Sequence, residues 1–140
     1  MKLVLPVPHQ SFAGNHFFSI MNRKFLIIAG ISGALAVGLG AFGAHSLKSV
    51  LSEYQLSIFK TGVQYHFWHT LAILGLAVGK LTDEKYFKNS AWLFTVGIVF
   101  FSGSLYLLAC RDILNLNAMT SVLGPMTPVG GVMFFLGWVC

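Results

Sequence analysis

"FLIIAGISGALAVGLGAFGA", Phe25 to Ala44, is twenty residues long and contains no Asp, Glu, Lys or Arg. At 1.5 Å per residue such a helix is about 30 Å long, the thickness of a bilayer's hydrocarbon core. One charge at its centre would cost about 2.5–3.5 kcal/mol on insertion scales. This stretch decides the solvent. The rest of the chain agrees, with 56% hydrophobic and 9% charged residues and a mean hydropathy of +0.75. A soluble domain carries about a quarter charged residues. Here there is too little polar surface to face water.

Working outward, two more charge-free blocks follow: "TGVQYHFWHTLAILGLAVG" at 61–79 and "SAWLFTVGIVFFSGSLYLLAC" at 90–110. A fourth lies at about 120–140. Its regular part, "TPVGGVMFFLGWVC" from Thr127, has a plausible cap and Pro128 at the first helical position. It offers only 14 residues, or about 21 Å of helix. The expectation is a bundle of four transmembrane helices, an all-α integral membrane fold whose last span is short or truncated. Residues 21–140 form one membrane domain, with spans at about 25–44, 61–79, 90–110 and 120–140. Residues 1–20, with Pro6 and Pro8 and no helical period, read as a disordered or non-native extension ahead of "MNRK". "MNRK" and the first block could also form a signal peptide. The block is longer than the usual 7–15-residue apolar region, which favours retention as a helix.

Between the first two spans, "HSLKSVLSEYQLSIFK" places Leu47, Val50, Leu51, Tyr54 and Ile58 at three- to four-residue steps, with Lys48, Ser52, Glu53 and Gln55 between them. That pattern predicts an amphipathic helix lying along the membrane interface. The basic residues sort by side. Arg23, Lys24, Lys80, Lys85 and Lys88 fall on one, and Lys48, Lys60 and Arg111 on the other. The positive-inside rule then puts the N-terminus in the cytoplasm. The net charge of +5 is scattered through connectors, so nucleic acid is not an expected partner. The bilayer is.

Small residues and histidines are the remaining signals. Gly30, Ala34 and Gly38 form a small-xxx-small series on one helix face, the kind of surface along which helices in lipid approach closely. Packing within the chain or a homo-oligomer contact would both use it. Ser102, Gly103 and Ser104 supply a second small patch, with hydroxyls able to bond a neighbouring helix or their own turn. Tyr65, His66 and Trp68 read as a membrane-interface girdle, and His69, one turn deeper, as a group hydrogen-bonded inside the bundle. His66 and His69 are three apart, but no third ligand has matching spacing, so no metal site is assigned. His9 and His16 lie in the extension. Cys110 and Cys140 have no motif spacing.

Taken together, "LGAFGAHSL" (39–47), "TGVQYHFWHTLAILGLAV" (61–78), "FSGSLYLLA" (101–109) and "TPVGGVMFFLGW" (127–138) resemble the YgdD-like family of small inner-membrane proteins, catalogued as domain of unknown function 423. The resemblance runs from Met21 to Trp138. It implies a four-helix membrane protein of the bacterial inner (plasma) membrane and supplies no activity and no cofactor. His45 falls in the family's "GAFGAH" element and His69 in its Tyr65-to-His69 element. These two are the candidates for cofactor binding, one closing the first span and the other opening the second.

No catalytic set can be assembled from these residues, and no enzyme is expected. A structural or accessory membrane protein is the first reading. A haem- or quinone-binding electron carrier using His45 and His69 is one alternative. A small-solute channel lined by the glycine stripe and Ser102/Ser104 is another.

Overall fold

A computed structural model describes residues 22–79 and 84–140. The extension with His9 and His16, and Lys80 to Asp83 of the connector, lie outside the described residues. Four helical rods account for most of what is described, and no strand occurs among the described residues. The first is α1, Arg23–His45. A 3-10 turn, Leu47–Ser49, leads to α2, Glu53–Val78. The third rod is composite: α3, Glu84–Gly97, a π turn, Ile98–Ser102, and α4, Gly103–Ala109. The last rod is α5, Thr120–Val139.

The predicted interfacial helix is not a separate element. Ser52 Oγ accepts from the Gln55 amide, and Gln55 Oε1 accepts from the Ser52 amide at 3.0 Å, a complete capping box. This sets the helix start at Glu53. No glycine or proline interrupts the chain before Thr61, so the segment continues into the membrane rod as its first two turns. Its buried stripe keeps only part of the expected face, Leu47 and Leu51. Leu51, Gln55 and Phe59 face inward, whereas Val50 and Tyr54 are 61% and 70% exposed.

The last rod also departs from expectation. A 3-10 turn at Asn117–Met119 feeds directly into α5, which is 20 residues long and contains both Pro125 and Pro128. Its length is about 30 Å rather than 21 Å. The prolines remove two backbone donors, a loss that membrane helices accommodate through local adjustment and neighbouring helices. Among the described residues, three helical stretches are long and apolar enough to cross a membrane by length and composition: Arg23–Ser49, Lys85–Ala109 and Asn117–Val139. α2 is not among them. Its polar residues lower its hydropathy, and the fold turns four of them inward, Gln55, His66, His69 and Thr70.

α2 packs against α1 on one side and the third rod on the other, while α5 leans chiefly on the third rod. α1 and α2 are antiparallel; the Asn22 amide donates to the Ala77 carbonyl at 3.2 Å. Where their ends meet the third rod, Phe25 sits edge-on to Phe87 and Trp92. The Lys24 ammonium lies 4.6 Å from the Trp92 ring centre. Between the third rod and α5, phenyl rings fit two glycine notches, Phe94 at Gly137 and Phe134 at Gly97, and at Gly130 the main chain of Phe101 itself comes close. A core of Phe25, Ala29, Ile73, Ala77, Phe94 and Phe134 fills the centre of the bundle. A second cluster, Leu47, Leu51, Phe59 and Ala109, closes the end beneath the 3-10 turn.

Candidate functional site: a polar chain inside the bundle

Because α2 starts at Glu53, His66 is not at a helix end. It is the fourteenth of 26 residues and is only 5% exposed. The interface reading of His66 is therefore corrected. Its ring joins three helices. Nε2 is 2.9 Å from Ser32 Oγ on α1, and Nδ1 is 3.1 Å from the Tyr106 hydroxyl on α4. Ser32 Oγ is in turn 2.6 Å from Thr70 Oγ1, which donates to the His66 carbonyl at 2.8 Å.

The proton directions follow from counting donors. Thr70 spends its only hydroxyl proton on the His66 carbonyl, so it accepts from Ser32. Ser32 then has no proton left for the imidazole and accepts from His66 Nε2–H. Nδ1 is left as an acceptor for the Tyr106 hydroxyl. Tyr106, His66, Ser32 and Thr70 thus form one directed chain with a neutral histidine, every member satisfied.

His69 has the opposite tautomer. Its Nδ1 lies 2.8 Å from the Tyr65 carbonyl, which only accepts, so Nδ1 carries the proton. Nε2 then accepts from the Trp138 indole at 3.3 Å. The ring is stacked on Phe134, with centres 3.5 Å apart and planes 7° from parallel. Tyr65, Trp68, His69, Phe101, Phe134 and Trp138 line an apolar cleft of about 680 Å³ between α2 and α5. Tyr65 stands between the rings of Trp68 and Phe101, and Trp68 is half exposed.

The other expected site residues fall as follows. His45 and His69 are not brought together. His45 is exposed at the end of α1, whereas Thr70, beside His69, packs at Gly33. Twelve residues of α1 separate those levels, about 18 Å. With both of its nitrogens engaged, His69 also presents no free lone pair to a haem iron. Gly30, Ala34 and Gly38 face away from the bundle, and a β-carbon at Gly30 or Gly38 would meet nothing within 4 Å. Packing within the chain therefore does not use this stripe, nor does it need Gly103, whose missing β-carbon also faces open space. The glycines against which the chain packs tightly are at 43, 62, 97, 130 and 137. Ser104 makes both predicted kinds of bond, to Thr127 Oγ1 at 2.7 Å and to the Phe101 carbonyl at 2.9 Å. Ser102, buried in the π turn, makes neither.

Sequence reasoning passed over Ser32, Gln55, Thr70 and Tyr106. Gln55 was within reach, since Ser52-x-x-Gln55 is a capping-box signature. It also donates through Nε2 to Asp112 Oδ2 at 2.5 Å, tying the start of α2 to the connector after α4. The partnership of Ser32 with His66 has no local signal, because 34 residues separate them. No group of three or more His, Cys, Asp or Glu side chains is placed to hold a metal ion among the described residues. Chemically the polar chain is closed on itself: its hydroxyls and imidazole bond one another across α1, α2 and α4.

Residues 39–131 match the family model described as "Protein of unknown function (DUF423)". The UPF0382 membrane protein YwdK of Bacillus subtilis is 43% identical over 119 residues, 84% of this chain and 91% of its own length. The UPF0382 inner membrane protein YgdD of Escherichia coli is 45% identical over 118 residues, covering 84% and 85%. A UPF0382 membrane protein of Haemophilus influenzae is 39% identical over 119 residues, covering 85% and 90%. No solved structure matches the chain. With all-helical architecture, long apolar rods and relatives of this similarity along most of its length, the chain is an α-helical membrane protein that belongs to the DUF423 family.

Proposed function

We propose that the protein is a four-span component of the bacterial plasma membrane, N-terminus in the cytoplasm, with a structural or accessory role exercised as a homo-oligomer. The supporting observation is the division of α1 into two faces. Phe25, Ala29, Ala36 and Gly43 are buried, whereas Gly30, Ala34 and Gly38 are exposed on the opposite side. Helices in lipid gain from close backbone approach, and a small-xxx-small face turned outward is suited to a partner. A second copy is the simplest partner, because a two-fold axis matches the stripe to itself.

The same reading makes the protein non-enzymatic, since Ser32, His66, Thr70 and Tyr106 bond one another, and His69 bonds Tyr65 and Trp138, rather than a substrate. A channel lined by the stripe and by Ser102 and Ser104 fits less well. The stripe is on the outer face of α1, and the serines are buried along the third rod.

The test is cross-linking in native membranes, with Cys110 and Cys140 replaced by serine and a single cysteine placed by Ala34→Cys. Oxidation should yield a covalent dimer, and adding Gly38→Leu should abolish it. A chain that stays monomeric in the membrane, without cross-linking at this position, would refute the assembly.

A further inference from the structure

We propose a binding site for one anionic glycerophospholipid headgroup at the rim of the bundle, in the cavity beside the α1–α2 connection. This cavity, about 410 Å³, is lined by Lys48, Leu51, Glu53, Leu56, Ser57 and Lys60. Lys48 comes from the 3-10 turn, and Lys60 from two turns into α2. Among the described residues neither lysine makes an ion pair, and neither is matched to Glu53, although all three line the same space. Lys60 is also the last charge before the charge-free stretch 61–79. At the edge of hydrocarbon its ammonium must bend toward the headgroups along its apolar stem, which is the direction of the cavity and of Lys48.

The lining selects the ligand. Two lysines against one carboxylate leave one net positive charge, complementary to a single phosphodiester. Leu51 and Leu56 give the cavity an apolar wall that a free inorganic anion cannot use and the start of an acyl chain can. Glu53 can accept a hydrogen bond from a hydroxyl beyond the phosphate, as in a glycerol headgroup. Phosphatidylglycerol has this combination; phosphatidylcholine and phosphatidylethanolamine lack the net charge.

Native mass spectrometry of the full chain, equilibrated with equal amounts of phosphatidylglycerol, phosphatidylethanolamine and phosphatidylcholine, tests the assignment. Phosphatidylglycerol adducts should dominate. Lys48→Gln and Lys60→Gln should each weaken them about fivefold, the effect of about 1 kcal/mol per basic residue near an anionic lipid. Lys85→Gln, on another rod, should leave them unchanged. Equal retention of the three lipids would overturn the site, as would a loss of the same size for Lys85→Gln. Displacement of the lipid by millimolar inorganic phosphate would assign the cavity to a free anion and overturn it too.

Discussion

A β-carbon at Gly130 would lie 2.4 Å from the backbone nitrogen of Phe101 and 2.8 Å from its α-carbon. These two residues set the spacing between the third rod and α5. The obstacle is main chain, within the π turn Ile98–Ser102, so a rotamer change alone cannot relieve it.

Gly130→Ala should therefore cost at least the 1–3 kcal/mol typical of overpacking, seen as a lower unfolding midpoint in detergent. Gly30→Ala, with nothing near its β-carbon, should leave that midpoint unchanged in the monomer. Equal effects would mean that the two helix faces have been assigned the wrong way round.

The directed chain through His66 makes a second prediction. Tyr106→Phe removes one interhelical bond and Ser32→Ala two, each bond costing about 0.6 kcal/mol, with about 1.7 kcal/mol as the largest value from double-mutant cycles on such bonds in a membrane. His66→Leu removes the bonds to both Tyr106 and Ser32, leaves the Tyr106 hydroxyl without its acceptor, and should cost more than Tyr106→Phe. A double-mutant cycle on Tyr106 and His66 measures the coupling directly. A coupling of zero would show that the 3.1 Å contact contributes nothing.

Ser102 and Ser104 should behave oppositely despite their proximity. Ser102 Oγ is buried without a partner, so Ser102→Ala removes an unsatisfied group and should be neutral or stabilising. Ser104→Ala breaks its bond to Thr127 and should cost about 0.5–1.5 kcal/mol. Thermal unfolding of the two single variants decides the matter.

At the N-terminal end of α2, Gln55→Ala removes half of the capping box and the bond to Asp112. The expected loss is about 1–2 kcal/mol. Amide exchange should accelerate first in the opening turn of α2 and spread no further than its first two turns. Uniform acceleration along the whole helix would show that Gln55 supports the bundle rather than the cap.

Much of the architecture was legible in composition. Blocks of about 20 residues without a charge can only be satisfied as helices in lipid, because every backbone donor and acceptor must then bond within its own rod. The start of α2 was legible too, in Ser52 and Gln55, although Val50 and Tyr54 of the apolar pattern face outward while Leu47 and Leu51 face the core. The length of α5 was hidden by Pro125 and Pro128, residues that end most helices in water and are tolerated inside this one.

What the amino-acid order determined alone was the solvent, the helical class and the rough positions of the rods. Which side of each rod faces its neighbours was decided only in three dimensions. In water, hydrophobicity itself marks the buried face; in lipid both faces are apolar, and shape and hydrogen bonding choose between them. Hence the stripe at Gly30, Ala34 and Gly38 is turned outward while Gly97, Gly130 and Gly137 make the tight contacts. For the same reason His66 found its partners on α1 and α4, 34 and 40 residues away, where no local pattern could announce them.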